Sequence, residues 1–281
     1  AASGCRDRAS TPSGSHGSTT GADAAAVAAA PSAGCRRGDL EALVGAARTV
    51  TVAGEERHFL VDAPAGAGDV PRPLVLALHG FRHSAAGLRE GIGFAERAAA
   101  GDLIAVHADG RDDVNLLNRV GRGWDIAPED TRDTAFVSAL LDAVEAERCV
   151  DRRREYATGF SNGGFFANLL GCRLADRLAA VAAVAGARPL DACRPATPIP
   201  ILFFHGSADQ VVPPRLTTGA AAWWRRADGC GDGDEMRDGC SAARDCAADV
   251  IVCTGPQGHT WPDGATDRIW DFFRRHPRRD S

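Results

Sequence analysis

The chain has 281 residues, 44% hydrophobic and 25% charged, enough for one large core. Its net charge of −5, with no basic stripe interleaved with aromatics, argues against a nucleic-acid partner. No apolar run reaches the ~18 residues that a membrane-spanning helix needs.

All 32 basic residues are arginine, which reads as a GC-rich coding bias and not as a specific arginine function. Nine cysteines are too many for a typical cytosolic chain without metal-ligand spacing. No C-x-x-C occurs and no Cys pair has a matching His pair, so disulfides in an exported protein explain them better than zinc. Neither a metal nor a cofactor is expected. Localisation is read as secreted or cell-surface, bacterial and extracytoplasmic, and the protein as a monomer. Ala2-Ser3-Gly4-Cys5 loosely resembles the end of a bacterial lipobox, which makes Cys5 a lipid-anchor candidate.

Residues 1–34 are Ala, Ser, Thr and Gly with a few Pro and show no period, the composition of a flexible tether. Order should begin near Cys35 and run to 281 as one domain. Thr49–Val52 and Arg57–Val61 flank Gly54 as a hairpin. Strands and helices then alternate. Leu74–Leu78 is a buried strand, Ala85–Ala100 a helix, Leu103–His107 a strand and Thr131–Cys149 a long amphipathic helix. Arg154–Ala157 is a strand and Phe165–Cys172 a helix. Strands at Ala179–Ala185, Ile199–Phe204 and Val250–Cys253 follow, with helices at Thr217–Ala227 and Thr266–Phe273. The pattern predicts an α/β fold, a mostly parallel central sheet with helices on both faces.

Between the Arg154 strand and the Phe165 helix lies Thr158-Gly159-Phe160-Ser161-Asn162-Gly163-Gly164. Gly-x-Ser-x-Gly between strand and helix is the pattern of a nucleophile elbow, a turn too sharp for side chains two residues either side of the serine. A serine hydroxyl needs a base, and the base needs a third group to orient it. The chain order Ser, Asp, His is met by Asp209 in His205-Gly206-Ser207-Ala208-Asp209 and by His259 in Gly258-His259-Thr260-Trp261-Pro262. Each follows a predicted strand, where sites form on such sheets. The oxyanion donors are assigned to the N–H groups of Asn162 and of Phe81, the latter in the His79-Gly80-Phe81 loop. His79 is read as a brace for that loop, and His107 and His205 as satisfied core histidines.

These residues resemble the bacterial secreted esterases of the poly(3-hydroxybutyrate) depolymerase-like and feruloyl esterase family. The likeness covers roughly Cys35 to Arg275. It rests on Leu78-His79-Gly80, Gly123-Trp124, Cys149-Val150-Asp151, Tyr156 to Gly164, the His205 to Asp209 segment and Gly258 to Pro262. The resemblance implies the α/β-hydrolase fold and serine-esterase activity on bulky aryl or polymeric esters, carried by plant cell-wall polysaccharide or polyester. Two departures stand out: Gly34-Cys35-Arg36-Arg37 lacks a second Gly, and the loop Gly229 to Cys246 is unusually acidic and cysteine-rich.

The alternatives are an acyltransferase using the same triad, or a carbohydrate-binding surface protein on a retired hydrolase fold. The segment Ala187–Pro198 is too short for a large lid, which predicts an open groove, with Trp124 and Trp261 as substrate-binding walls. The expected disulfides are Cys35–Cys193 and Cys149–Cys172, with two more among Cys230, Cys240, Cys246 and Cys253.

Overall fold

The computed structural model describes residues 1, 27–36, 38–127, 129–190 and 193–279. In chain order the strands and helices are β1 (Asp39–Leu40), β2 (Leu43–Val52), β3 (Glu55–Ala63), β4 (Gly66–Ala67), β5 (Arg72–Leu78), α1 (Ala85–Gly91), α2 (Phe94–Ala99), β6 (Ile104–Ala108), β7 (Arg111–Leu116), β8 (Arg119–Gly123), α3 (Arg132–Glu147), β9 (Val150–Phe160), α4 (Asn162–Arg173), β10 (Ala180–Val184), β11 (Ile201–Gly206), α5 (Pro214–Ala227), β12 (Asp234–Arg237), β13 (Cys240–Ala243), β14 (Val250–Gly255) and α6 (Ala265–Arg275).

Ten strands form one sheet in the order β12-β13-β14-β11-β10-β9-β5-β6-β3-β2. The six from β14 to β6 are parallel, and antiparallel strands close both edges. The parallel strands are apolar on both faces because helices cover both. In β5, Leu74, Leu76 and Leu78 enter one core with α3, α4 and α5, while Val75 and Ala77 enter the other with α1, α2 and α6. That split follows from the two-residue period of a strand.

The predicted helix over 85–100 is two helices. Gly93 holds φ at 76°, a left-handed conformation no helix can carry through. Two hairpins were absent from the sequence reading. One is β7–β8, turned by Leu117 and Asn118, both at positive φ, the backbone of a two-residue hairpin turn. The other is β12–β13, turned at Asp238-Gly239.

Order begins before Cys35. The Ser32 N–H donates to Val150 O at 2.9 Å, the Gly34 N–H to Glu145 O at 2.7 Å, and the Ala30 N–H to Asp151 Oδ1 at 2.9 Å. This run lies along the start of β9, and it corrects the expected bridges. It carries Cys35 to Cys149, which opens β9 instead of closing a helix, and Cys172 at the end of α4 pairs with Cys193. Cys230–Cys246 and Cys240–Cys253 complete the bridges among the described residues. Cys5 and most of the expected tether lie outside those residues. No described helix is long and apolar enough to cross a membrane.

Candidate active site

Strand β9 lies between β5 and β10 in the sheet and delivers Ser161 at its C-terminal end. Ser161 sits at φ 55°, ψ −117°, a strained conformation for a residue with a side chain. The glycines around it are required by contact. A Cβ on Gly159 would lie 2.3 Å from Gly163 O, and one on Gly163 would lie 2.1 Å from Leu78 O.

The loops after β11 and β14 bring the other two residues to the serine. His259 Nε2 is 2.9 Å from Ser161 Oγ, and His259 Nδ1 is 2.7 Å from Asp209 Oδ2. An ionised carboxylate only accepts, so Nδ1 carries the imidazole proton and Nε2 is free to accept from the serine O–H. Burial pushes the Asp209 carboxyl up in pKa. Hydrogen bonds from His259 and from the Val212 and Val211 amides outweigh it and hold the group below the ordinary carboxylate value.

Asp209 is further fixed by His205, whose Nε2 lies 3.3 Å from Asp209 Oδ2 and 2.9 Å from Val212 O. Thr217 Oγ1 meets the other ring nitrogen at 2.6 Å. His205 is thus the satisfied core histidine expected, and it also walls the carboxylate. His107 is buried, but neither ring nitrogen has a hydrogen-bond partner. Burial pushes its pKa down to about 4, so it packs as a neutral ring.

Because β5 neighbours β9, the 79–81 loop lies against the elbow. A Cβ on Gly80 would sit 3.4 Å from Ser161 Cβ. His79 Nδ1 is 2.7 Å from Gly80 O, while its Nε2 accepts the Gly110 N–H at 2.9 Å. Burial lowers its pKa and keeps the ring neutral, so Nδ1–H is the donor. The Gly80 carbonyl and the Phe81 N–H belong to one trans peptide and point opposite ways. Holding the carbonyl therefore sets the direction of the Phe81 N–H. The Asn162 N–H opens α4 directly after Ser161, where helix N–H groups lack an intrahelical partner.

The two tryptophans separate. Trp124 is 0% exposed, stacked on Phe166 and Phe136 with ring centroids 5.1 and 6.5 Å away, and its indole N–H donates to His79 O at 2.9 Å. It cannot wall a groove, which corrects the sequence expectation. A Trp in a loop suggests an accessible ring, yet the large apolar ring is what anchors that loop to the core. Trp261 is half-buried, with its indole N–H on Thr266 Oγ1 at 3.1 Å. Phe160 was missed. Its ring lies 4.9 Å from the His259 imidazole, and its place directly before Ser161 was the available signal. No helix occupies the described residues between β10 and β11. Among the described residues no three His, Cys, Asp or Glu side chains converge as a metal set.

No family profile matches the chain. It is 32% identical over 248 residues to feruloyl esterase B of Piromyces equi, covering 78% of this chain and 45% of that protein. The chain therefore spans less than half the length of that relative. In structure it resembles acetyl xylan esterase from Aspergillus awamori, with a TM-score of 0.59 and 16% identity over 82% of this chain and all of the other. A ferulic acid esterase from Anaeromyces mucronatus, solved with ferulic acid, gives a TM-score of 0.59 and 16% identity over 84% and 92% of the two chains. NocK of Nocardia uniformis, an esterase by name, is 31% identical over 264 residues, with 78% of this chain and 74% of NocK covered. Likeness at that level over most of both chains, on this sheet topology, makes the protein a member of the esterase family of α/β-hydrolases.

Proposed function

We propose that the chain is a serine esterase that works through an acyl-enzyme and cleaves bulky aryl or polymeric esters of the feruloyl type outside the cytoplasm. The observation that carries the mechanism is the continuous hydrogen-bonded chain from Ser161 through His259 to Asp209, with the serine at a positive φ. In this reading His259 Nε2 takes the serine proton as Oγ attacks the ester carbonyl. The Phe81 and Asn162 N–H groups hold the oxyanion. The imidazolium, stabilised by Asp209, then gives its proton to the departing alcohol. Water enters, loses a proton to His259 and releases the acid, restoring Ser161.

The substrate class is supported by relatives named feruloyl esterase and acetylxylan esterase. It fits a site with no helix among the described residues between β10 and β11, and Trp261 is the aromatic wall this reading assigns. The extracytoplasmic setting is supported by Cys35–Cys149, Cys172–Cys193, Cys230–Cys246 and Cys240–Cys253.

The test pairs a fluorophosphonate label with a panel of p-nitrophenyl acetate, p-nitrophenyl butyrate, methyl ferulate and a short polyester. Labelling at Ser161 and turnover of methyl ferulate are expected. Label elsewhere, or no ester turned over, overturns the mechanism; turnover of the acetate alone overturns the substrate class.

A further inference from the structure

The two residues assigned as oxyanion donors lie apart, Phe81 in the loop after β5 and Asn162 at the start of α4, and one segment is fastened to both. That segment is β8, the second strand of the β7–β8 hairpin, with Trp124 directly after it. On the Phe81 side, the Arg82 N–H donates to Arg122 O at 2.7 Å and Arg82 Nη2 to Val120 O at 3.1 Å. Arg82 takes φ 62°, and its guanidinium lies 5.6 Å from the Phe81 ring centroid. On the Asn162 side, the buried amide grips the Trp124 backbone twice. Oδ1 accepts the Trp124 N–H at 2.7 Å and Nδ2 donates to Trp124 O at 3.0 Å.

At Gly121 and Gly123 the strand comes so close to these residues that a side chain would collide with them. A Cβ on Gly123 would lie 2.8 Å from Asn162 Oδ1 and 3.0 Å from Phe81 Cδ2 at once. One on Gly121 would lie 2.8 Å from Arg82 Cγ. The indole of Trp124 adds a third tie, to His79 O.

We propose that β8 and Trp124 form a strap that sets the spacing of the Phe81 and Asn162 N–H groups, with Arg82 and the Asn162 side chain as positioning residues. Two donors stabilise an oxyanion only when both meet the position it will occupy, and a displacement near 1 Å forfeits much of the gain. The strap acts on the transition state and leaves ground-state ester binding alone. The inference rests on the serine-esterase reading above.

The test uses two variants. Gly123→Ala pushes on both donors without adding charge. Arg82→Gly accepts the positive φ, keeps the backbone N–H bond to Arg122 O and removes the whole side chain with its bond to Val120 O. With p-nitrophenyl acetate, kcat should fall about 10- to 100-fold in Gly123→Ala and about 3- to 10-fold in Arg82→Gly, with KM within about twofold. The inhibition constant of phenylboronic acid, which forms a tetrahedral adduct on the serine, should rise in step with the loss of kcat. Unchanged kcat and boronate affinity in folded variants overturn the strap, as does a rise in KM at constant kcat, which would make β8 a substrate contact. If Gly123→Ala does not fold, Arg82→Gly decides the question. Should the wild-type protein neither turn over esters nor label at Ser161, the esterase reading fails and the strap with it. Ester turnover by wild type with unaffected variants overturns the strap alone.

Discussion

Asp209 divides its two oxygens between fixed partners. Oδ1 accepts the Val211 and Val212 amides, each at 2.8 Å, and Oδ2 faces His259 Nδ1 at 2.7 Å. An asparagine here can keep its carbonyl only on the Oδ1 side, because that site is held by two donors. Its NH₂ must then face His259, which forces the proton onto Nε2 and leaves nothing to accept from Ser161. Asp209→Asn should therefore lower kcat on the order of 10⁴-fold, at least as much as Asp209→Ala. Steady-state kinetics on p-nitrophenyl acetate for both variants checks this. A milder asparagine variant would mean that the amide flips and that Val211 and Val212 do not hold it.

Trp124 gives a second expectation. With its ring stacked between Phe136 and Phe166 and no exposed surface, Trp124→Ala should cost roughly 3–5 kcal/mol of stability. KM values for methyl ferulate and p-nitrophenyl acetate should then move together. Denaturant melts and paired kinetics test the two halves. A ferulate-selective rise in KM would return Trp124 to the substrate.

How much of this was legible in the sequence depended on whether the cause was local. Ser161, Asp209 and His259 announce themselves because the elbow needs Gly159 and Gly163, and the partners follow apolar strands in a fixed chain order. The parallel strands were equally plain, since burial on both faces leaves runs such as Leu74–Leu78. The β7–β8 hairpin was invisible because Arg111–Gly123 is polar and its turn uses Leu117-Asn118, a pair with no glycine. Asp238-Gly239 was a readable hairpin signal that the acidic surroundings obscured. Disulfide partners are set by which chain ends meet in space. Nothing in the sequence shows that Ser32–Gly34 runs beside Arg148–Val150.

The Cys35–Cys149 bridge closes a separation of 114 residues and sits where β9 begins, whereas Ser161 follows its other end. In register with β5, Val150 stands opposite Arg72 and Gly159 opposite Leu78, so the length of β5 puts about 20 Å between the two ends. Replacing both cysteines by serine should destabilise the fold by roughly 2–5 kcal/mol with kcat unchanged within about twofold. Thermal melts beside ester kinetics read this directly. A large fall in kcat at a temperature where the variant is folded would show that the N-terminal edge communicates with the site.

The last expectation concerns pH. Asp228 caps the C-terminal end of α5 with 1% exposure, and neither carboxylate oxygen makes a well-formed hydrogen bond. Burial pushes its pKa up to about 7 from an ordinary 3.8, with only the Ile199 backbone pulling the other way. Between roughly pH 4 and 7 the folded chain therefore binds a proton at this site that the unfolded chain has released. The stability linked to it is complete below about pH 4 and is lost as pH rises through 7. Asp228→Asn keeps the shape and removes the ionisation. Wild type and variant should have similar stability near pH 4.5, and the variant should be the more stable by roughly 2–4 kcal/mol at pH 8. Other buried acids, such as Glu155 with its pKa pushed up to about 8, are common to both proteins and cancel in the difference. Chemical denaturation at the two pH values measures the gap, and a gap that does not widen with pH would mean that Asp228 is ionised in the fold.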